Sequence, residues 1–126
     1  MWIIMNAKRI ILVEDDSSIQ DTVMLILESS GYHVDIYSSG EPILKNEYQI
    51  PDLFIVDKQL TGVDGLDVCR HLKSNEATKK IPVIMLSASP SIIPLAKAAG
   101  ADSAIEKPFR MQELKETVEV SLGLVS

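Results

Sequence analysis

Short, unbroken apolar runs alternate along this chain with stretches whose apolar residues return every three or four positions. Residues 10–13, 53–56 and 82–86 are of the first kind, rich in Ile, Val and Leu. Such runs are too short for helices and match strands buried on both faces. His33–Tyr37 alternates polar with apolar, and Ser103–Glu106 is a short, weaker fifth strand. Proline at the first position of the fourth strand forfeits no ladder bond. Ile19, Val23, Ile26 and Ser30 trace one face of a helix that Gly31 stops. A short helix over 41–47 follows, opened by Ser39 and Gly40. Another over 64–74 turns Leu66, Cys69 and Leu72 inward. Residues 95–99 form most of a fourth helix, ending at Gly100. Pro94 is tolerable only in its first turn, where amides lack intrahelical acceptors, so a late start or a loose first turn is expected. Met111, Leu114, Val118 and Leu122 give an amphipathic terminal helix.

Five strands alternating with five helices predict an open α/β structure, a parallel sheet covered on both faces. Right-handed crossovers leave strand order 2-1-3-4-5 as the common solution at this size. At 126 residues the chain reads as one domain over 9–126. Residues 1–8 would be an overhang and the start of the first strand, with Met5 an alternative start. Nothing after the fifth helix is left over for a second domain.

Composition changes this picture little. Apolar residues make up 46% and charged residues 24%, with a net charge of −6. No Lys/Arg cluster exceeds a pair, which argues against a nucleic-acid surface. No apolar stretch reaches the ~20 residues of a membrane helix, so no membrane role and a cytoplasmic location are expected. The lone Cys69 cannot pair internally and fits a small core residue in a reducing compartment.

The chemistry lies at one edge. In a parallel sheet all strand C-termini open on the same side, where ligands bind. The first strand is followed there by Glu14, Asp15 and Asp16, the third by Asp57, the fourth by Ser87, and the fifth by Lys107 and Pro108. The second ends in Ser38-Ser39-Gly40, which carries no comparable group. A carboxylate such as Asp57 is expected at the rim, half in water. Carboxylates about 4 Å apart repel by roughly 4 kcal/mol at an effective dielectric of 20, so the cluster must take up a proton or a cation. Hard oxygens without His or Cys favour Mg²⁺. Beside such a cation Asp57 can attack phosphorus, with Lys107 offsetting charge on the phosphoryl oxygens. Asp16 fits a helix-capping role better than a ligand role, and His33 and His71 fit surface or structural roles.

Glu14-Asp15, Asp57, Ser87-Ala88 and Lys107-Pro108-Phe109 together resemble the residue set of response-regulator receiver domains of two-component signalling, of the stand-alone, chemotaxis-regulator-like kind. The resemblance spans essentially the whole chain and implies a flavodoxin-like, doubly wound five-stranded sheet. It implies Asp57 as phosphoacceptor and metal ligand, and Asp15 as direct Mg²⁺ ligand. Glu14 would act on the metal through water, and the Gln59 backbone carbonyl would complete the protein's share. Lys107 would pair with the phosphoryl group, Ser87 would be the switch hydroxyl, and the Lys107–Pro108 bond would be cis.

Two positions depart from the family pattern. Thr61 stands where many receivers have proline, which should loosen the loop 58–62. Ala104 replaces the switch aromatic, leaving no ring to carry the signal toward the face of the fourth helix, fifth strand and fifth helix.

The expected function is a single-domain response regulator, not an enzyme beyond Mg²⁺-dependent self-phosphorylation and slow self-dephosphorylation. It would take phosphate from a histidine kinase or phosphotransfer protein, then act on an unknown protein partner or serve as a phosphate sink. Ile92, Ile93 and Lys97 are the candidate partner surface. A monomer or a weak dimer would serve. The alternative is a phosphorylation-independent protein-binding module on the same fold. An aspartyl phosphatase would need a substrate-selecting cap, and a flavin carrier a phosphate loop after the first strand; neither is present in the sequence.

Overall fold

The computed structural model describes residues 7–125, so Met5 and most of the N-terminal overhang lie outside the described residues. Strands β1 (Arg9–Val13), β2 (His33–Tyr37), β3 (Leu53–Asp57), β4 (Val83–Ser87) and β5 (Ser103–Glu106) form one parallel sheet in the order β2-β1-β3-β4-β5. Helices α1 (Ser17–Ser29), α2 (Glu41–Leu44), α3 (Gly65–Ser74), α4 (Ile92–Ala98) and α5 (Met111–Ser121) alternate with them.

The continuous apolar runs explain the layers. Successive strand residues point to opposite faces, so a fully apolar strand needs cover on both. Ile10, Leu12, Leu53, Ile55, Ile84 and Leu86 pack with α1 and α5 through Val23, Leu27, Leu114 and Val118. Ile11, Val13, Phe54, Val56, Val83 and Met85 pack beneath α2, α3 and α4 through Ile43, Leu66, Leu72 and Ile92. Each such side chain contributes about 1.5–3 kcal/mol of burial. β3 and β4 are buried along their whole length, whereas the edge strands β2 and β5 are partly open. Cys69 is buried on α3, its Sγ 3.6 Å from the Ala99 carbonyl, and burial raises its thiol pKa to about 11.

Several boundaries differ from expectation, each for a visible reason. β4 begins after Pro82 and runs through Ser87, because Ser87 lies opposite Glu106 and its carbonyl accepts the Lys107 N–H at 2.7 Å. α2 is a single turn that ends at Leu44 rather than at residue 47, and Asn46, with φ 58°, turns the chain out of it. α4 starts at Ile92 rather than near 95, anchored by that fully buried side chain, with Pro94 still inside the first turn. Its first turn has no side-chain cap, as the loose start suggested. Ser30 is an exposed C-cap of α1 rather than part of its buried face, and Gly31 follows at φ 93°.

Register levels the C-terminal edge. Asp57 lies opposite Leu86, and the chain leaving β3 stays laced to β4 through Lys58 N–H to the Leu86 carbonyl at 2.8 Å. The ends of β1, β3, β4 and β5 therefore face one cleft.

Candidate functional site

Asp57 closes β3 and is 1% exposed, buried rather than half in water as its place at the strand end suggested. α3 packs closely against the chain leaving β3: Gly65 donates its N–H to the Lys58 carbonyl at 2.9 Å. A Cβ on Gly65 would stand 2.0 Å from the Asp57 carbonyl oxygen. Only a residue without a side chain permits that approach. The buried Asp57 carboxylate is nonetheless satisfied. Oδ1 accepts the Gln59 N–H at 2.8 Å, and Oδ2 accepts from Lys107 Nζ at 2.5 Å. Lys107 arrives from the end of β5, and its peptide bond to Pro108 is cis, as the resemblance implies.

Glu14, leaving β1, is equally buried at 1% exposure. Its Oε2 accepts the Asp16 N–H at 3.1 Å, while Oε1 has no hydrogen-bond partner and lies 3.8 Å from Lys107 Nζ. Burial pushes the Glu14 pKa up to about 8. The neighbouring Asp57 carboxyl reinforces this, against the Asp16 N–H and the Lys107 charge. Two buried acids thus share one ammonium group, and the metal-free cleft meets the shortage of positive charge by keeping the Glu14 proton.

Asp15 is exposed and placed differently. Its Oδ2 accepts from both the Thr61 N–H at 3.0 Å and the Thr61 hydroxyl at 2.8 Å. The Thr61 hydroxyl is the main cause of an Asp15 pKa held below the usual carboxylate value. Among the described residues, no three Asp, Glu, His or Cys side chains converge as a metal-binding group. Even so, the buried Glu14 oxygen without a hydrogen-bond partner, beside Asp57, fits a hard cation.

Ser87 is fully buried and paired with the Gln59 side chain: Gln59 Nε2 donates to its Oγ at 3.0 Å. The same Oγ also accepts the Ser89 N–H at 3.0 Å. Asp16 caps α1, its Oδ1 accepting from Ser18 and Ile19 N–H at 2.8 and 3.2 Å. His33 and His71 lie away from the cleft, against Asp35 and Asn46.

Three roles were not anticipated. The Gln59 side chain engages Ser87, whereas the sequence drew attention to its backbone carbonyl. Gln20 Nε2 bridges the Glu14 carbonyl and the Ser38 hydroxyl, tying β1 to the loop after β2. Thr61 stood out as a loop position, but its bonds to Asp15 did not. Asp, Glu and Lys at strand ends announce themselves; neutral donors two to six residues away carry no such signal.

The response regulator receiver domain family model matches residues 10–119. The chain is 34% identical over 117 residues to the phosphate regulon transcriptional regulatory protein PhoB of Rhizobium meliloti, covering 90% of this chain and 52% of that protein. The chain thus spans about half the length of such curated relatives, which include DNA-binding response regulators. Among solved structures, the receiver domain of a sensor histidine kinase from Pseudomonas aeruginosa, with a magnesium ion coordinated in its active-site cleft, is 28% identical. It superposes with a TM-score of 0.84 over 93% of this chain and 98% of that one. The response regulator TrrA of Thermotoga maritima, in complex with Mg²⁺ and beryllofluoride, is 30% identical at a TM-score of 0.81, covering 90% of this chain and 98% of that one.

Proposed function

Because this chain belongs to the response regulator receiver domain family, we propose that it accepts a phosphoryl group on Asp57 from a phosphohistidine donor. The observation that carries the reading is the buried Asp57 carboxylate at the end of β3, held by Lys107 at 2.5 Å beside the unpaired Glu14 oxygen. A buried acid whose one lysine is shared with a second buried acid is poised for exchange of partners rather than for stability.

In the transfer, an Asp57 oxygen bonds to phosphorus as the phosphorus–nitrogen bond of the donor breaks, and the departing imidazole takes up a proton. Lys107 moves its ammonium from the carboxylate to a phosphoryl oxygen. The Gln59 N–H keeps the carboxyl oriented, and Ser87, released from Gln59, bonds another phosphoryl oxygen. Glu14, Asp15, Asp57 and the Gln59 carbonyl would hold Mg²⁺, whose charge offsets that of the phosphoryl oxygens when it is bound.

The same reading makes residues 9–126 one receiver unit working in the cytoplasm, monomeric or weakly dimeric. It would signal by altered contacts with a protein partner or drain phosphate from a relay. Among the described residues no helix is long and apolar enough to cross a membrane. Ile93 is 61% exposed beside exposed Lys97 and stays in the candidate partner surface. Ile92 is fully buried and leaves it.

Incubation with Mg²⁺ and acetyl phosphate, followed by intact mass measurement, tests the proposal. One added phosphoryl group is expected, absent from Asp57→Ala and from an EDTA control. No addition to the wild-type chain would leave a phosphorylation-independent binding module as the better reading.

A further inference from the structure

Both hydrogen bonds from Thr61 end on the same oxygen of Asp15, at 3.0 Å from the amide and 2.8 Å from the hydroxyl. Asp15 is exposed, so these bonds fix a side chain that packing leaves free. They hold it against the loop after β3, and Asp15, Glu14 and Asp57 do not converge as a metal-binding group. The distribution of partners around the cleft is uneven. The exposed carboxylate has two donors on one oxygen, while the buried Glu14 Oε1 has none.

We propose that Thr61 is a positioning residue that competes with Mg²⁺ for Asp15, weakening cation binding and with it the readiness of the site for phosphoryl transfer. The inference rests on the receiver reading and adds a setting of metal affinity peculiar to this chain. Its physical basis is simple. With Oδ2 holding two donors, a hard cation must displace them to use that oxygen, or take Oδ1 in the orientation that Thr61 imposes. Proline at the same position would offer neither donor, since it lacks both the N–H and the hydroxyl.

Substitution separates the two donors. T61V keeps the shape and removes the hydroxyl, T61P removes both donors, and T61S retains both. Calorimetric titration of the unphosphorylated chain with Mg²⁺ alone should show binding about threefold tighter for T61V and about tenfold tighter for T61P, with T61S close to wild type. In the wild-type chain, nuclear magnetic resonance should show the Thr61 amide proton moving upfield as Mg²⁺ saturates the site and the carboxylate leaves it. T61V serves by itself if T61P fails to fold. Equal or weaker Mg²⁺ binding by T61V, or an amide proton indifferent to the metal, overturns the proposal and leaves the receiver reading intact. Absence of Mg²⁺ binding by the wild-type chain overturns both.

Discussion

Glu14 shows what a single residue can and cannot disclose in advance. The acid was legible as part of a cluster after the first strand; its complete burial was not, because depth depends on how the neighbouring strand ends pack. In the metal-free chain that burial has a measurable consequence. The folded pKa is raised from 4.5 to about 8, so the folded protein retains a proton that the unfolded chain gives up. Stability from this group is intact below about pH 4.5 and falls as pH rises toward 8, because over that window the folded state binds more protons. Denaturant unfolding in EDTA should therefore show the wild type losing roughly 3–4 kcal/mol between pH 5 and 8 relative to Glu14→Gln, which is neutral throughout. No slope relative to Glu14→Gln would mean that Glu14 is ionised in the folded state across this window. Asp57 is the companion case: its position at the strand end was readable, and its near-total exclusion from water, with Gln59 and Lys107 gathered on its carboxylate, was not.

At the scale of elements, apolar periodicity identified all five strands and all five helices, and failed at boundaries where a tertiary contact decides. α4 begins at Ile92 because that side chain reaches the core beneath it, a fact local spacing around Pro94 hides. The pair Ile92 and Ile93 makes the point quantitative. Ile92→Ala should cost about 2–4 kcal/mol by cavity formation, whereas Ile93→Ala, at a site 61% exposed, should change stability by no more than about 0.5 kcal/mol. Chemical denaturation of the two variants separates core from surface on one turn of helix. α3 offers a second test. Asp64 caps it by accepting the Leu66 N–H at 2.8 Å, and Gly65 lets its first turn sit against Asp57. Gly65→Ala meets backbone at 2.0 Å and should destabilise by about 2 kcal/mol or more. It should also slow phosphoryl acceptance, because the Asp57 carbonyl must move. Slower labelling in acetyl phosphate with unchanged stability would place the effect in the site alone.

For the whole molecule, the alternating strand–helix pattern contained the sheet order, and the sheet order contained the site: four strand ends deliver their polar groups to one cleft. What the pattern could not contain is how a change in the cleft reaches the far surface. Ser87 is bonded to Gln59 at the ends of β3 and β4, so on the proposed reading phosphorylation of Asp57 would first have to release it, moving the loops that follow both strands. Beyond that point the route narrows. Ala104 lies beside Met85 on β5 and faces the side covered by α4, packed against the core but carrying no ring that could swing into a space left by Ser87. α5 lies on the other side of the sheet, over Ile105. A displacement at Ser87 therefore has a direct path to the start of α4, through Ser89 N–H on the Ser87 oxygen, but no lever at Ala104. Hydrogen exchange of the phosphorylated and unphosphorylated chain should show altered protection in residues 58–63 and 87–94, with α5 unchanged. Ala104→Tyr tests the same logic from the other side, since a restored ring should extend the altered protection into β5. Changes in α5 of the wild-type chain would mean that the sheet itself, rather than one side chain, transmits the response.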